Sequence, residues 1–294
     1  MSKVLSLHIN FSRFIFILLT LLISCSKQEN KTVFISSCPP VAMIVQEIAG
    51  KNAEVINILP AGESPHTYSP TPATLKKAER ALALFYVSPL LDEWAVELPV
   101  ENKIKLMDLV KTEHYSYYED YDGGTKVADP HFFTDPTIVE SIVDDIASKM
   151  SKLDSRNEQS YKDNALKFKS KLKSLNEKIL SRTETIRGKN VVQFHPSFNY
   201  YLKKYGLNHF ASIEPFPGKE PTPAYLAKLI KSIKQANIKS IFSETELPDA
   251  AGKAVAESSG AVLYQLDPLG GTEGKKTYED YLLFNTNVFL KALK

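Results

Sequence analysis

Short apolar runs alternate with amphipathic stretches along most of the chain. In the first half the runs VFIS (33–36), VINIL (55–59), ALFYV (83–87) and IKLMDL (104–109) read as strands. Helical stretches lie between them, among them VAMIVQEIAG, closed by Gly50. In the second half VVQF (191–194), FASIEPF (210–216), SIFSE (240–244) and VLYQL (262–266) alternate in the same way. Strands interleaved with helices predict an α/β fold with two parallel-sheet, Rossmann-like lobes. The halves share this rhythm without repeating residue identities.

Between them the pattern changes. From Thr137 to Arg187 there is neither Gly nor Pro. The stretch SRNE (155–158) has the form of a capping box, so a fresh helix is expected to start there. Phe168, Leu172, Leu175 and Ile179 then recur at helical spacing and form one apolar face. A helix of about 30 residues would reach roughly 45 Å, long enough to act as a rigid strut between lobes. The expected organisation is therefore an N-terminal lobe over 32–153, a connecting helix over 154–187 and a C-terminal lobe over 188–294. Residues 113–128 are polar and Tyr-rich with a Gly pair, and read as an exposed loop.

The first residues follow a different logic. Lys3 and Arg13 precede the apolar run from Phe14 to Ile23, then Ser24 and Cys25. A basic start, about ten apolar residues and a small residue at the cut describe a secretory signal over 1–24. The run is shorter than the roughly 20 residues a membrane span needs. LISC (22–25) resembles a bacterial lipobox, which would make Cys25 the lipidated first residue and 25–31 a tether. The mature protein is then expected outside the cytoplasmic membrane, held to it by lipid.

Removing that leader takes the 36 basic side chains to 34, equal to the 34 acidic ones, and the net charge from +2 to zero. No basic field remains to suggest nucleic acid. Of the two cysteines only Cys38 would be left as a thiol. The fold must then be held by its core rather than by a disulfide, and Cys38, at a strand end, is expected to be packed.

Five histidines remain beyond the leader. His66, His131 and His195 each adjoin a proline and lie in a turn or just beyond a strand, whereas His114 and His209 do not share that setting. In open α/β sheets, ligands bind where the loops beyond the strand ends converge. Asp267 follows the last strand in the same way. Three imidazoles and one carboxylate suit a first-row transition metal, tetrahedral if zinc. Prolines beside such donors stiffen the backbone and limit the entropy lost on binding. Spacing alone leaves a metal site and unrelated surface histidines about equally open. Asp129 and Asp135, which flank His131, read as a turn former and a helix N-cap. Glu244 could orient an imidazole or be a surface acid at a strand end.

The stretches PHTYSP (65–70), DPHFFTDP (129–136), HPSFNYYLKKYGL (195–207), EPTP (220–223), IFSE (241–244) and LDPLGG (266–271) occur together and in this order. With them the chain resembles the zinc/manganese-type solute-binding lipoproteins of ABC importers over nearly its whole mature length. The resemblance implies metal ligands at His66, His131, His195 and Asp267, in a cleft between two lobes joined by the long helix. It also implies delivery of the ion to a membrane permease, a monomer, and no catalysis. His195 stands where the family offers His or Glu, and imidazole favours zinc over manganese. Many zinc-uptake members carry a long His-rich loop near 113–128; here that loop is short and holds only His114. Some relatives are also described as adhesins.

Two alternatives differ in class. An exported zinc hydrolase would need an open coordination position for water, which four protein ligands do not leave. A binder of a larger metal chelate would need a roomy cleft lined by aromatic or Arg side chains. With a strut helix between the lobes, small tilts rather than wide hinge closure are expected on loading.

Overall fold

The computed structural model describes residues 31–118, 126–216, 220–247 and 250–294. The leader and Cys25 lie outside these residues, as do 119–125 of the Tyr-rich loop. Strands β1 (Thr32–Ser36), β2 (Ala53–Asn57), β3 (Ala83–Tyr86) and β4 (Asn102–Lys105) form one parallel sheet in the order β2-β1-β3-β4. Strands β7 (Asn190–Gln193), β8 (Asn208–Ser212), β9 (Ser240–Glu244) and β10 (Val262–Leu266) form a second, in the order β10-β9-β7-β8. Both follow from the apolar runs, whose central strands β3 and β9 are buried throughout. The run IKLMDL is divided: it is strand only through Lys105, and Leu106–Leu109 closes into a 3₁₀ turn.

The order of each sheet reverses once, between β1 and β3 in the first and between β7 and β9 in the second. At such a reversal the connections leaving neighbouring strands run to opposite sides, and a crevice opens beyond the carboxyl ends.

The Gly- and Pro-free stretch folds as two helices, Pro136–Leu153 and Glu158–Thr183, joined by a 3₁₀ turn at Ser155–Asn157. The expected capping box does not form, since Asn157 is the N-cap and makes no capping bond with its side chain. Asp154 organises the junction instead. It accepts from Thr32 Oγ1 at 2.6 Å, Tyr161 Oη at 2.8 Å and Asn157 Nδ2 at 2.8 Å. One buried carboxylate that satisfies three donors holds this junction, where a serine hydroxyl was expected to start the second helix.

At 26 residues the second helix is about 39 Å long. It buries Tyr161, Ala165, Phe168, Leu172, Leu175 and Ile179 against the helices Pro39–Ala49, Pro136–Leu153 and Tyr278–Leu293. One continuous apolar core therefore runs from the first sheet through this helix to Phe242, Phe289 and Leu290 of the second lobe. A smaller core, built on Val192, Ile213, Ile233, Ile241 and Val255, underlies the outer part of the second lobe. Cys38 is fully buried and unpaired, and burial pushes its thiol well above the usual range. No helix among the described residues is long and apolar enough to cross a membrane.

The Tyr-rich segment is less loop-like than its composition suggests. Here β5 (Tyr117–Tyr118) pairs antiparallel with β6 (Val127–Ala128), and Tyr118 is buried although Tyr117 is exposed.

Candidate metal centre

Three imidazoles meet where loops of the two lobes come together. His66 comes from the loop after β2, His131 from the turn preceding the helix Pro136–Leu153, and His195 from the turn after β7. Their ring centroids are 5.6 Å apart for His66 and His131, 5.2 Å for His66 and His195, and 4.9 Å for His131 and His195. One nitrogen from each lies within 4.8 Å of the others.

Each ring is fixed through Nδ1. His66 Nδ1 donates to the Leu90 carbonyl at 3.1 Å. His131 Nδ1 lies 2.8 Å from Asp129 Oδ1, an oxygen that also accepts the His131 backbone N–H at 2.9 Å. His195 Nδ1 lies 3.2 Å from Glu244 Oε1, which is itself held by the Ser197 hydroxyl at 2.6 Å. Binding Nδ1 in this way fixes the tautomer and leaves Nε2 with its lone pair exposed. Nε2 of His66 and of His195 are buried and have no hydrogen-bond partner among the described residues. A buried, unpaired acceptor is costly unless something completes it. Two such atoms facing a third ring fit a cation with a preference for nitrogen.

Electrostatics divide the three. Burial lowers His66 well below its ordinary pKa, and the neighbouring imidazoles His195 and His131 lower it further. Burial also lowers His131, against the opposing pull of Asp129. At His195 burial acts downward too, but the Glu244 charge and hydrogen bond outweigh it and the pKa is raised.

Glu244 is thus buried with its carboxylate on the His195 ring, not a surface acid at a strand end. Asp129 does more than form a turn: it is fully buried and orients His131. Sequence gave no sign of this, because an Asp before a Pro has a sufficient local reason to exist. Tyr118 is a further partner, its phenol 2.9 Å from His131 Nδ1 and close to Asp129, whose negative charge adds to burial in raising the phenol's pKa. Asp135 caps its helix as expected, accepting from Thr137 N at 2.8 Å. His114 is exposed, and His209 lies apart beside Ser212 at 2.9 Å.

Asp267 is close to the cluster in the chain's topology but does not join it. It is 2% exposed and outside the set of donors within 4.8 Å of one another. A cavity of about 400 Å³ opens on the three histidines, and its wall carries Glu63, Glu214, Glu220 and Glu246. Burial, with the nearby Asp267 charge, raises Glu246 to about 8. Among the described residues the wall is acidic and carries neither Arg nor an aromatic ring other than imidazole, which is not the lining a bulky chelate requires.

A family model described as zinc-uptake complex component A, periplasmic, matches residues 35–292. The zinc-binding protein AdcA of Streptococcus pyogenes serotype M1 is 26% identical over 278 residues, covering 86% of this chain and 54% of that protein. The high-affinity zinc uptake system protein ZnuA of Bacillus subtilis strain 168 is 25% identical over 260 residues, covering 84% and 82%. The chain spans about half the length of the streptococcal relatives it matches. Among solved structures, the laminin-binding protein of Streptococcus agalactiae, described as having adhesin and metal-transporting activity, aligns with TM-score 0.78 at 27% identity over 90% of this chain and 100% of that one. The solute-binding protein FpvC of Pseudomonas aeruginosa in complex with Mn²⁺ aligns with TM-score 0.77 at 26% identity, over 90% and 99%.

Proposed function

The chain belongs to the zinc-uptake complex component A family, and from that premise we propose that it captures a divalent transition metal, zinc first and manganese next, and passes it to the permease of an ABC importer. The observation that carries this reading is the convergence of three imidazoles whose Nδ1 atoms are tied back and each of which brings one nitrogen within 4.8 Å of the others. His66, His131 and His195 would hold the ion, with Asp267 as the fourth donor. Nitrogen-rich donor sets suit zinc, copper or nickel, and added carboxylate oxygen suits manganese. Three imidazoles against one carboxylate therefore favour zinc, in keeping with the zinc-binding names of its relatives.

The work of such a protein is capture and release, so no bond to a substrate is made or broken. Asp129 and Glu244 would supply what a good site needs around its ligands, holding His131 and His195 in one tautomer before the ion arrives. The lipid on Cys25 would keep a monomeric carrier beside its permease, outside the cytoplasmic membrane. Of the two activities described for the streptococcal laminin-binding relative, the imidazole cluster speaks to metal transport.

Metal-stripped protein titrated with zinc and with manganese, in parallel with His131→Ala, tests the reading. Tight one-to-one zinc binding that the variant loses is the expected result. Manganese bound as well or better would change the cargo and keep the donors. If neither ion binds the intact protein, the reading fails.

A further inference from the structure

Asp267 has the burial of a ligand and the contacts of something already occupied. Its Oδ1 accepts from the backbone N–H of Leu269 at 3.1 Å and of Gly270 at 2.6 Å. Its Oδ2 is closed off by the ammonium of Lys275, whose side chain is only 13% exposed. Asp267 is not among the donors that lie within 4.8 Å of one another, which are His66, His131 and His195.

The turn that follows β10 places that ammonium. Gly271 N donates to the Lys275 carbonyl at 2.8 Å, and Lys275 N donates to the Thr272 carbonyl at 3.0 Å. Gly270 and Gly271 have φ of +64° and +78°, and a Cβ on Gly271 would lie 2.8 Å from Pro39 Cβ. The turn is thus committed to glycine and seated against the first lobe. Nζ also lies 4.6 Å above the Phe284 ring, a second favourable contact for a cation.

We propose that Lys275 is an internal competitor for the fourth donor of the metal site: its ammonium holds Asp267 away from the three imidazoles until a divalent ion displaces it. This rests on the reading of His66, His131, His195 and Asp267 as the donor set. Splitting a mostly buried ion pair leaves a charge without compensation. A metal that recruits Asp267 must bear that cost, so Lys275 lowers the affinity of the site. The same ammonium, returning to Asp267, helps the ion leave. Lys275 therefore tunes how tightly a carrier holds a cargo that it has to surrender, at a position with no direct contact to the ion.

Lys275→Met removes the charge and keeps the length of the side chain. Zinc affinity of the metal-stripped protein should rise on the order of tenfold or more, and release to an excess of chelator should slow by a similar factor. In the Asp267→Asn background the same substitution should change neither. Lys275→Gln carries the same prediction should the methionine variant fail to fold. Unchanged or weaker zinc binding in the folded variant would overturn the proposal, and so would an equal gain in the Asp267→Asn background. Failure of the donor-set reading would look different, because zinc would then bind neither intact protein nor variant, or would bind both regardless of His195→Ala.

Discussion

The two lobes contribute to the proposed metal centre in different states of readiness. His66 and His131 of the first lobe are held by a carbonyl and a fully buried carboxylate, and burial keeps both pKa values low. They are neutral and oriented at neutral pH. In the second lobe each proposed donor is engaged with a charged side chain, His195 with Glu244 and Asp267 with Lys275. The first half of the site is ready for a cation, while in the second Glu244 favours the protonated form of His195 and an ammonium sits on Asp267. A carrier needs both properties, since a site finished on every side would bind well and release badly.

Removing a finished donor should do most to break this contrast. His131→Ala is expected to lower zinc affinity by more than the ~10–100-fold typical of losing a partner of a metal ligand, as read by competition with a chromogenic chelator. Asp129→Ala takes away the orienting partner and leaves the ring. It should fall within that ~10–100-fold range, and an effect below twofold would show that His131 is held by other contacts.

Glu244→Gln sharpens the comparison through pH. Metal binds neutral imidazole, so the first ring to take up a proton as pH falls sets where affinity starts to drop. His195, raised by Glu244, is that ring, and the drop should begin above pH 6.5, the ordinary histidine value. Without the Glu244 charge, burial is opposed only by the weaker pull of Asp129 and Glu214, and the onset should move to lower pH. Titrations between pH 7.5 and 5.5 decide this; an unmoved onset would contradict it.

Stability of the metal-free protein carries the same signs. His195, raised on folding, contributes stability below pH 6.5 that is lost as pH rises through its folded value. His66 and His131, lowered on folding, bind their protons more readily when unfolded, and so reduce stability as pH falls below 6.5. The smallest effect belongs to surface pairs far from the site. Lys178→Ala, which breaks a half-exposed 3.1 Å pair with Glu279, should change unfolding free energy by no more than ~1 kcal/mol and leave zinc affinity alone.

The architecture was legible because period and punctuation carry it. The runs SIFSE and VLYQL are strands from end to end, and Phe168, Leu172, Leu175 and Ile179 are all buried on the long helix. The three histidines were legible too, through the prolines beside them and their place beyond strand ends. What stayed hidden depends on partners distant in sequence. Asp154 ends a helix because Thr32 lies across from it, 122 residues away. Tyr118 is buried because a two-residue ladder returns it to His131. Lys275, in the polar run TEGKK, is an ordinary surface lysine until the Gly270–Gly271 turn swings it onto Asp267.

The central claim is that three imidazoles and one carboxylate share a single ion. X-ray absorption at the zinc edge, on protein loaded with one equivalent of zinc, tests it most directly. The account predicts three imidazole nitrogens and one oxygen donor at about 2.0–2.2 Å, with one imidazole lost in His195→Ala. A spectrum showing two or fewer imidazoles in the intact protein would contradict it.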